Sequence, residues 1–220
     1  MAAIGTHIVW DWNGTLFHDI DVVVAASNAS FTAVGLEPLS VRRYRELFCV
    51  PIRDFHRKVL GRPPTEEEWR LMNEVFQREY TARRAACGLA AGARELLRGW
   101  RAGGRSQSLL SLYAHDELLP LVGRLGIAEE FVRVDGSVGA FTGESKAEHL
   151  ARHLLDLGRA AAGTVVIGDS ADDARAALSV GARAVLYTGG SHARESLEAV
   201  GVPVVDSLAE AVAWAAGAAG

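Results

Sequence analysis

Apolar and polar positions alternate along this chain in two different rhythms. "HIVW" (7–10) is a short continuous apolar run that stops at Asp11 and a glycine-containing turn, which predicts a buried strand. From Asp21 to Val34 the apolar positions return at helical spacing, and Gly35 stands where a helix ends. "LSVRRYRELF" predicts a helix capped by Ser40. "PIRDFHRKVLG" predicts one opened by Pro51 and closed by Gly61. A long helix follows, capped by Thr65 with Glu68 three residues on. Residues 18 to 90 are therefore expected to be mostly helical.

After that block the rhythm changes. "SQSLLSLY" (106–113) predicts a strand, "DELLPLVGRLG" a helix and "FVRVDG" a short strand. "SKAEHLARHLLDLG" predicts a helix with Ser145 and Glu148 as a capping box, and "GTVVIGDS" (163–170) a buried strand ending at Asp169. "ADDARAALSVG", "ARAVLYTGG", "SHARESLEAVG" and "VPVVDS" continue as helix, strand, helix, strand, and an Ala-rich helix from 207 closes the chain. Strands that alternate with helices predict a parallel sheet with helices on both faces, into which the first helical block is inserted.

Bulk composition narrows the function classes. A chain of 220 residues with 49% hydrophobic content can bury a real core. A net charge of −4 offers no basic field for nucleic acid or an anionic membrane. No apolar run reaches the ~20 residues of a membrane span. The start of the chain lacks the pattern of a signal peptide, and Cys49 and Cys87 have no metal-ligand spacing, so a reducing cytoplasm is expected. Lys58 and Lys146 are the only lysines among 23 basic residues. The histidines 56, 115, 149, 153 and 192 form no metal-ligand grouping and are expected at the surface, and the tryptophans in the core or at an interface.

In a parallel α/β sheet the ligand crevice lies beyond the carboxyl ends of the strands. Asp11, Ser111 and Asp169 fall at such ends, Lys146 starts a helix, and Asp173 lies one turn past Asp169. Carboxylates bind a hard cation through oxygen, and a lysine and a hydroxyl orient phosphoryl oxygens. Backbone N–H groups in the Gly14 turn can add an anion nest. The set predicts a site for Mg²⁺ and a phosphate.

Together "DWNGT" (11–15), "LLS" (109–111), Lys146 and "GDSADD" (168–173) resemble, in order, the four motifs of the haloacid dehalogenase-like superfamily. The inserted block resembles the helical C1 cap of its phosphoglycolate-phosphatase-like branch. The resemblance implies a three-layer Rossmannoid core (1–17 and 91–220) with a cap (18–90) and Mg²⁺-dependent hydrolysis of a small phosphorylated metabolite, by a monomer or homodimer. It makes Asp11 the nucleophile of an aspartyl-phosphate, and Ser111 and Lys146 the phosphate holders. Asp11, Asp169, Asp173 and the main-chain carbonyl of Asn13 become the metal ligands. Gly14, Thr15, Ser111, Leu112, Lys146 and Arg53 are the residues expected around the substrate.

One position departs from the pattern. Where phosphatases of this family carry an acid/base aspartate, this chain has Asn13, whose amide hydrogen-bonds but transfers no proton. Four readings of Asn13 are open: a slow or selective phosphatase, with water, His18 or Asp19 as substitute; a binder of phosphorylated ligands; another chemistry of the family; or an Asn-Gly pair that deamidates to aspartate. The phosphonate-cleaving branch needs a cap lysine near the position of Arg53, and an arginine forms imines poorly. The dehalogenases work without metal, against the implication of "GDSADD".

Overall fold

The computed structural model describes residues 6–138 and 145–217. In chain order the elements are β1 (His7–Trp10), β2 (Phe17–His18), α1 (Ile20–Ala33), α2 (Val41–Leu47), α3 (Ile52–Leu60), α4 (Glu66–Arg84), β3 (Gly88–Leu89) and α5 (Ala93–Ala102). They continue with β4 (Gln107–Ala114), α6 (His115–Arg124), β5 (Val134–Ser137), α7 (Lys146–Asp156), β6 (Thr164–Gly168), α8 (Ala171–Ser179), β7 (Arg183–Tyr187), α9 (Arg194–Glu198), β8 (Val204–Val205) and α10 (Leu208–Gly217). By contacts the chain forms two units. One comprises Met1–His18, Gly88–Gly190 and Arg194–Gly220, and the other Asp19–Cys87 with Ser191–Ala193.

The first unit is an α/β sandwich. Its six-stranded sheet runs β5-β4-β1-β6-β7-β8 and is parallel throughout. Alternation along β1 divides the core. His7 and Val9 face one side, and Val9 packs with Leu110, Val166 and the apolar stripe of α7 and α8. On the other side Trp10 donates its indole N–H to Gln107 (3.0 Å), whose amide donates to the Leu97 carbonyl in α5 (2.8 Å). β1 is central, so the residue after its end is held by sheet on both flanks. Trp10 pairs with Leu109 and Ile167, and the Asp11 N–H donates to the Ile167 carbonyl at 2.8 Å.

The second unit is helical, packed around Phe31, Tyr44, Phe55 and Met72. The expected caps are present. Ser40 accepts from the Arg43 N–H, Thr65 and Glu68 form a capping box, and Gly61 adopts the left-handed conformation after α3. Tyr80 donates to Asp19 at 2.7 Å.

Several expectations need correction. α5 was not foreseen, although "ARELLRGWRA" carries its buried positions at helical spacing. The β2–β3 ribbon has two residues per strand, too short for any periodicity to show. β5 starts at Val134 rather than at Phe131. "SHARESLEAVG" forms only the five residues of α9. His56, His149 and His153 are buried, not on the surface.

Candidate active site

Asp11 lies just past the end of β1, and 7% of its surface is exposed. The chain turns sharply behind it. The Phe17 N–H donates to the Trp12 carbonyl (2.8 Å), the Gly14 N–H donates to the Phe17 carbonyl (3.0 Å), and Gly14 takes a left-handed φ of 72°. Trp12 and Phe17 stack beneath this turn, 5.0 Å between ring centroids. Thr15 is buried, and its hydroxyl donates to Asp11 Oδ2 at 3.2 Å. Asn13 is half-buried in the same turn, bridged to Phe17.

Two further loops converge on Asp11. β6 is flanked by β1 and β7, so Asp169 emerges beside Asp11. Asp173 stands at the third position of α8, 1% exposed, where its carboxylate accepts from the Ser170 N–H (3.0 Å) and hydroxyl (2.6 Å). This acidic capping box fixes the rotamer of Asp173. Lys146 opens α7, behind the Ser145–Glu148 capping box, and its ammonium bridges Asp11 Oδ1 and Asp173 Oδ1. Carboxylate oxygens of Asp11, Asp169 and Asp173 lie within 4.8 Å of one another.

Glycines make room for this cluster. A Cβ on Gly190 would sit 1.7 Å from an Asp169 oxygen, one on Gly14 2.5 Å from the same atom, and one on Gly168 2.3 Å from the Asp173 Cγ. Gly168 and Gly190 were not foreseen as site residues. Beneath Asp11, Lys146 and Asp173, the side chains of Val9, Leu110, Leu150 and Val166 line a void of about 10 Å³.

Electrostatics follow from burial. Loss of water, then the charge of Asp173, pushes the Asp11 carboxyl up to about 6 against the opposing pull of Lys146. Burial works against the charge of Lys146, but Asp11 and Asp173 outweigh it and hold the ammonium above the ordinary lysine range. Three buried carboxylates against one ammonium leave a negative cluster of hard oxygen donors. That set fits a divalent cation such as Mg²⁺ and favours oxygen-binding ions over softer metals.

The other expected residues divide. Ser111 lies in β4, two positions past the Leu109–Trp10 pair, and is buried with its Oγ accepting from the Tyr113 N–H at 3.1 Å. Ser108, three positions earlier in β4, is engaged elsewhere, between His7 and His153. Leu112 is half exposed. Arg53 belongs to the second unit. There it makes a bidentate pair with Glu66 (3.0 and 2.9 Å) and stacks over Trp69. Among the described residues no helix is long and apolar enough to cross a membrane.

Comparisons with known proteins agree with this fold. A HAD-hydrolase-like family model matches residues 142–211, the stretch that holds Lys146, Asp169 and Asp173. A phosphoglycolate phosphatase of Synechococcus elongatus is 29% identical over 192 residues, 87% of this chain and 88% of its own. Among solved structures, a haloacid dehalogenase-like family hydrolase from Streptococcus pneumoniae superposes with a TM-score of 0.78 at 18% identity, covering 97% of this chain and 99% of that one. A protein described as a predicted phosphatase from Clostridium acetobutylicum gives 0.79 at 15% identity, over 96% and 98%.

Proposed function

We propose that this haloacid dehalogenase-like hydrolase is a Mg²⁺-dependent phosphomonoesterase acting on a small phosphorylated metabolite. The observation that carries the reading is the convergence of Asp11, Lys146, Asp169 and Asp173 from separate loops at one sheet edge. Asp11, at the end of a central strand, is the proposed nucleophile, and the hydroxyl of Thr15 and the ammonium of Lys146 contact its carboxylate. Asp11, Asp169 and Asp173, with the Asn13 carbonyl, are the proposed ligands of the cation. When bound, the cation supplies charge neutralisation for phosphoryl oxygens. Lys146 and Ser111 hold the same oxygens from the protein side.

In the proposed reaction an Asp11 oxygen attacks phosphorus as the bond to the leaving oxygen breaks, giving an acyl phosphate on Asp11. Water then attacks phosphorus, phosphate departs and the Asp11 carboxylate is restored. Asn13 donates a hydrogen bond to the leaving oxygen but no proton, so esters with stable leaving anions are the preferred substrates. Gly14, Thr15 and Leu112 are the proposed substrate neighbours on this unit. The helical unit containing Arg53 is the proposed cap, and phosphoglycolate, the substrate named for the Synechococcus relative, is the first metabolite to try.

The test is Mg²⁺-dependent phosphate release from p-nitrophenyl phosphate and a panel of small phosphate esters. It compares the native protein, Asn13→Asp and Asp11→Asn. Turnover by the native protein, abolished in Asp11→Asn, is the expected result. Asn13 also favours a second reading, a binder of phosphorylated ligands. Turnover by Asn13→Asp alone would select that one.

A further inference from the structure

Below the void, on the same face of the sheet, lies a buried polar chain that the reaction does not use. His7 Nδ1 is 2.8 Å from the Ser106 hydroxyl and His7 Nε2 is 2.9 Å from the Ser108 hydroxyl. The Ser108 hydroxyl is 2.7 Å from His153 Nε2, and His153 Nδ1 is 2.6 Å from Asp135 Oδ2. Asp135 is paired with Arg133, which also donates to Asp156 at 2.8 Å. The chain joins β1, β4, α7 and β5.

Its protons have one consistent order. The Asp135 carboxylate only accepts, so His153 carries its proton on Nδ1. Neutral His153 then accepts at Nε2 from the Ser108 hydroxyl. Ser108 has a single proton, so it accepts from His7 Nε2–H, and His7 accepts at Nδ1 from the Ser106 hydroxyl. The Ser108 hydroxyl serves both histidines, Asp135 Oδ2 accepts from both His153 and Arg133, and His153 is 0% exposed. A satisfied buried network of this kind fixes the elements that it joins.

What it fixes is α7. Lys146, Leu150 and His153 lie at i, i+4 and i+7, on one helix face about 10 Å long. Lys146 reaches Asp11 and Asp173 at one end, His153 is fastened to the sheet at the other, and Leu150 between them borders the void. The apolar stripe of α7 packs on the sheet around that void, and the histidine chain adds a directional polar tie that apolar packing does not supply. We propose that Ser108, His153 and Asp135 are positioning residues that set the height of α7 on the sheet and thereby hold the Lys146 ammonium at Asp11. The role in turnover rests on the phosphatase reading; the anchoring of Lys146 does not.

The two-lysine composition makes a direct test possible. Protein labelled with ¹³Cε-lysine gives two signals, and Lys58, in the helical unit, is the internal reference. Ser108→Ala cuts the chain in the core, and Asp135→Asn releases His153 from the less buried edge. Thr164→Val, which removes the part-buried hydroxyl bond to the Ala160 carbonyl outside the chain, is the control for lost stability alone. The expected result is that both first variants shift the Lys146 signal but not that of Lys58. Both also lower kcat on p-nitrophenyl phosphate with Mg²⁺ by about 10- to 100-fold. Thr164→Val is expected to lower the melting temperature and do neither. An unmoved Lys146 signal in both variants overturns the proposal, and so does a shifted signal with unchanged turnover. A shifted signal in a protein that hydrolyses no ester at all, native or Asn13→Asp, sinks the phosphatase reading and leaves the anchor standing.

Discussion

At the scale of single residues, Asn13 is the position on which the proposed reaction's choice of leaving group turns. The general-acid contribution that an amide cannot make is typically ~10²- to 10⁴-fold. It matters most for an alkyl leaving group and least for an aryl or acyl one. Across a series of phosphate esters, the native rate should therefore rise steeply as the leaving group becomes more acidic, and Asn13→Asp should flatten that slope by speeding the alkyl esters. Parallel slopes would mean that another group supplies the proton. A peptide map of active protein that finds only unmodified Asn13 would remove the deamidation reading. Gly190 is the second decisive residue. Its missing Cβ leaves the space against Asp169, and a methyl 1.7 Å from a carboxylate oxygen must push that side chain, a proposed cation ligand, aside. Gly190→Ala should weaken the cation about 10- to 100-fold, the usual effect of disturbing the groups that orient a ligand. A Mg²⁺ titration of the melting temperature reads this without any turnover.

At the scale of elements, short helices deliver the charged groups, and their caps do the aiming. α7 carries Lys146 directly after Ser145, whose side chain accepts from the Glu148 N–H. Ser145→Ala should cost about 1 kcal/mol of stability in urea unfolding, and frayed ends should lower kcat because Lys146 sits in the first turn. The caps were readable in advance because a serine or threonine three residues before a glutamate has a local meaning. The same holds for β1, β6 and the acids at their ends, where an apolar run stops at a carboxylate. The histidine chain was not readable. His7, Ser108 and Asp135 look like unremarkable polar positions in their own segments, and His7 and Ser108 stand 101 positions apart. Only the β1–β4 register, Val9 beside Ser108, brings them together. His149 and His153 at i, i+4 read as a solvated face, yet both are buried positions of α7. Sequence pattern sees what one element does with its own neighbours. Burial of a polar residue against a distant polar partner carries no local mark.

At the scale of the whole molecule, the buried histidines make folding depend on pH. Loss of water, then the charge of Arg159, holds the His7 imidazole down at about 4. Burial likewise lowers His153, against the pull of Asp135. The unfolded chain takes up those protons near the ordinary histidine value of about 6.5. Between about 6.5 and 4 the unfolded state therefore binds more protons, and stability falls with falling pH. His7 alone accounts for roughly 3 kcal/mol over that window at about 1.4 kcal/mol per unit. Asp11 opposes this, since a carboxyl raised to about 6 lets the folded state take up a proton first on acidification, which relieves the cost of its buried charge. A cation bound at the proposed site would cancel that relief by keeping Asp11 ionised. Unfolding in urea at pH 7 and pH 5 should then show a larger acid loss with Mg²⁺ than without it. In His7→Phe the loss should shrink in both conditions, because the proton that the unfolded chain takes up there is gone. Equal pH slopes for native protein and His7→Phe would place the acid sensitivity outside His7.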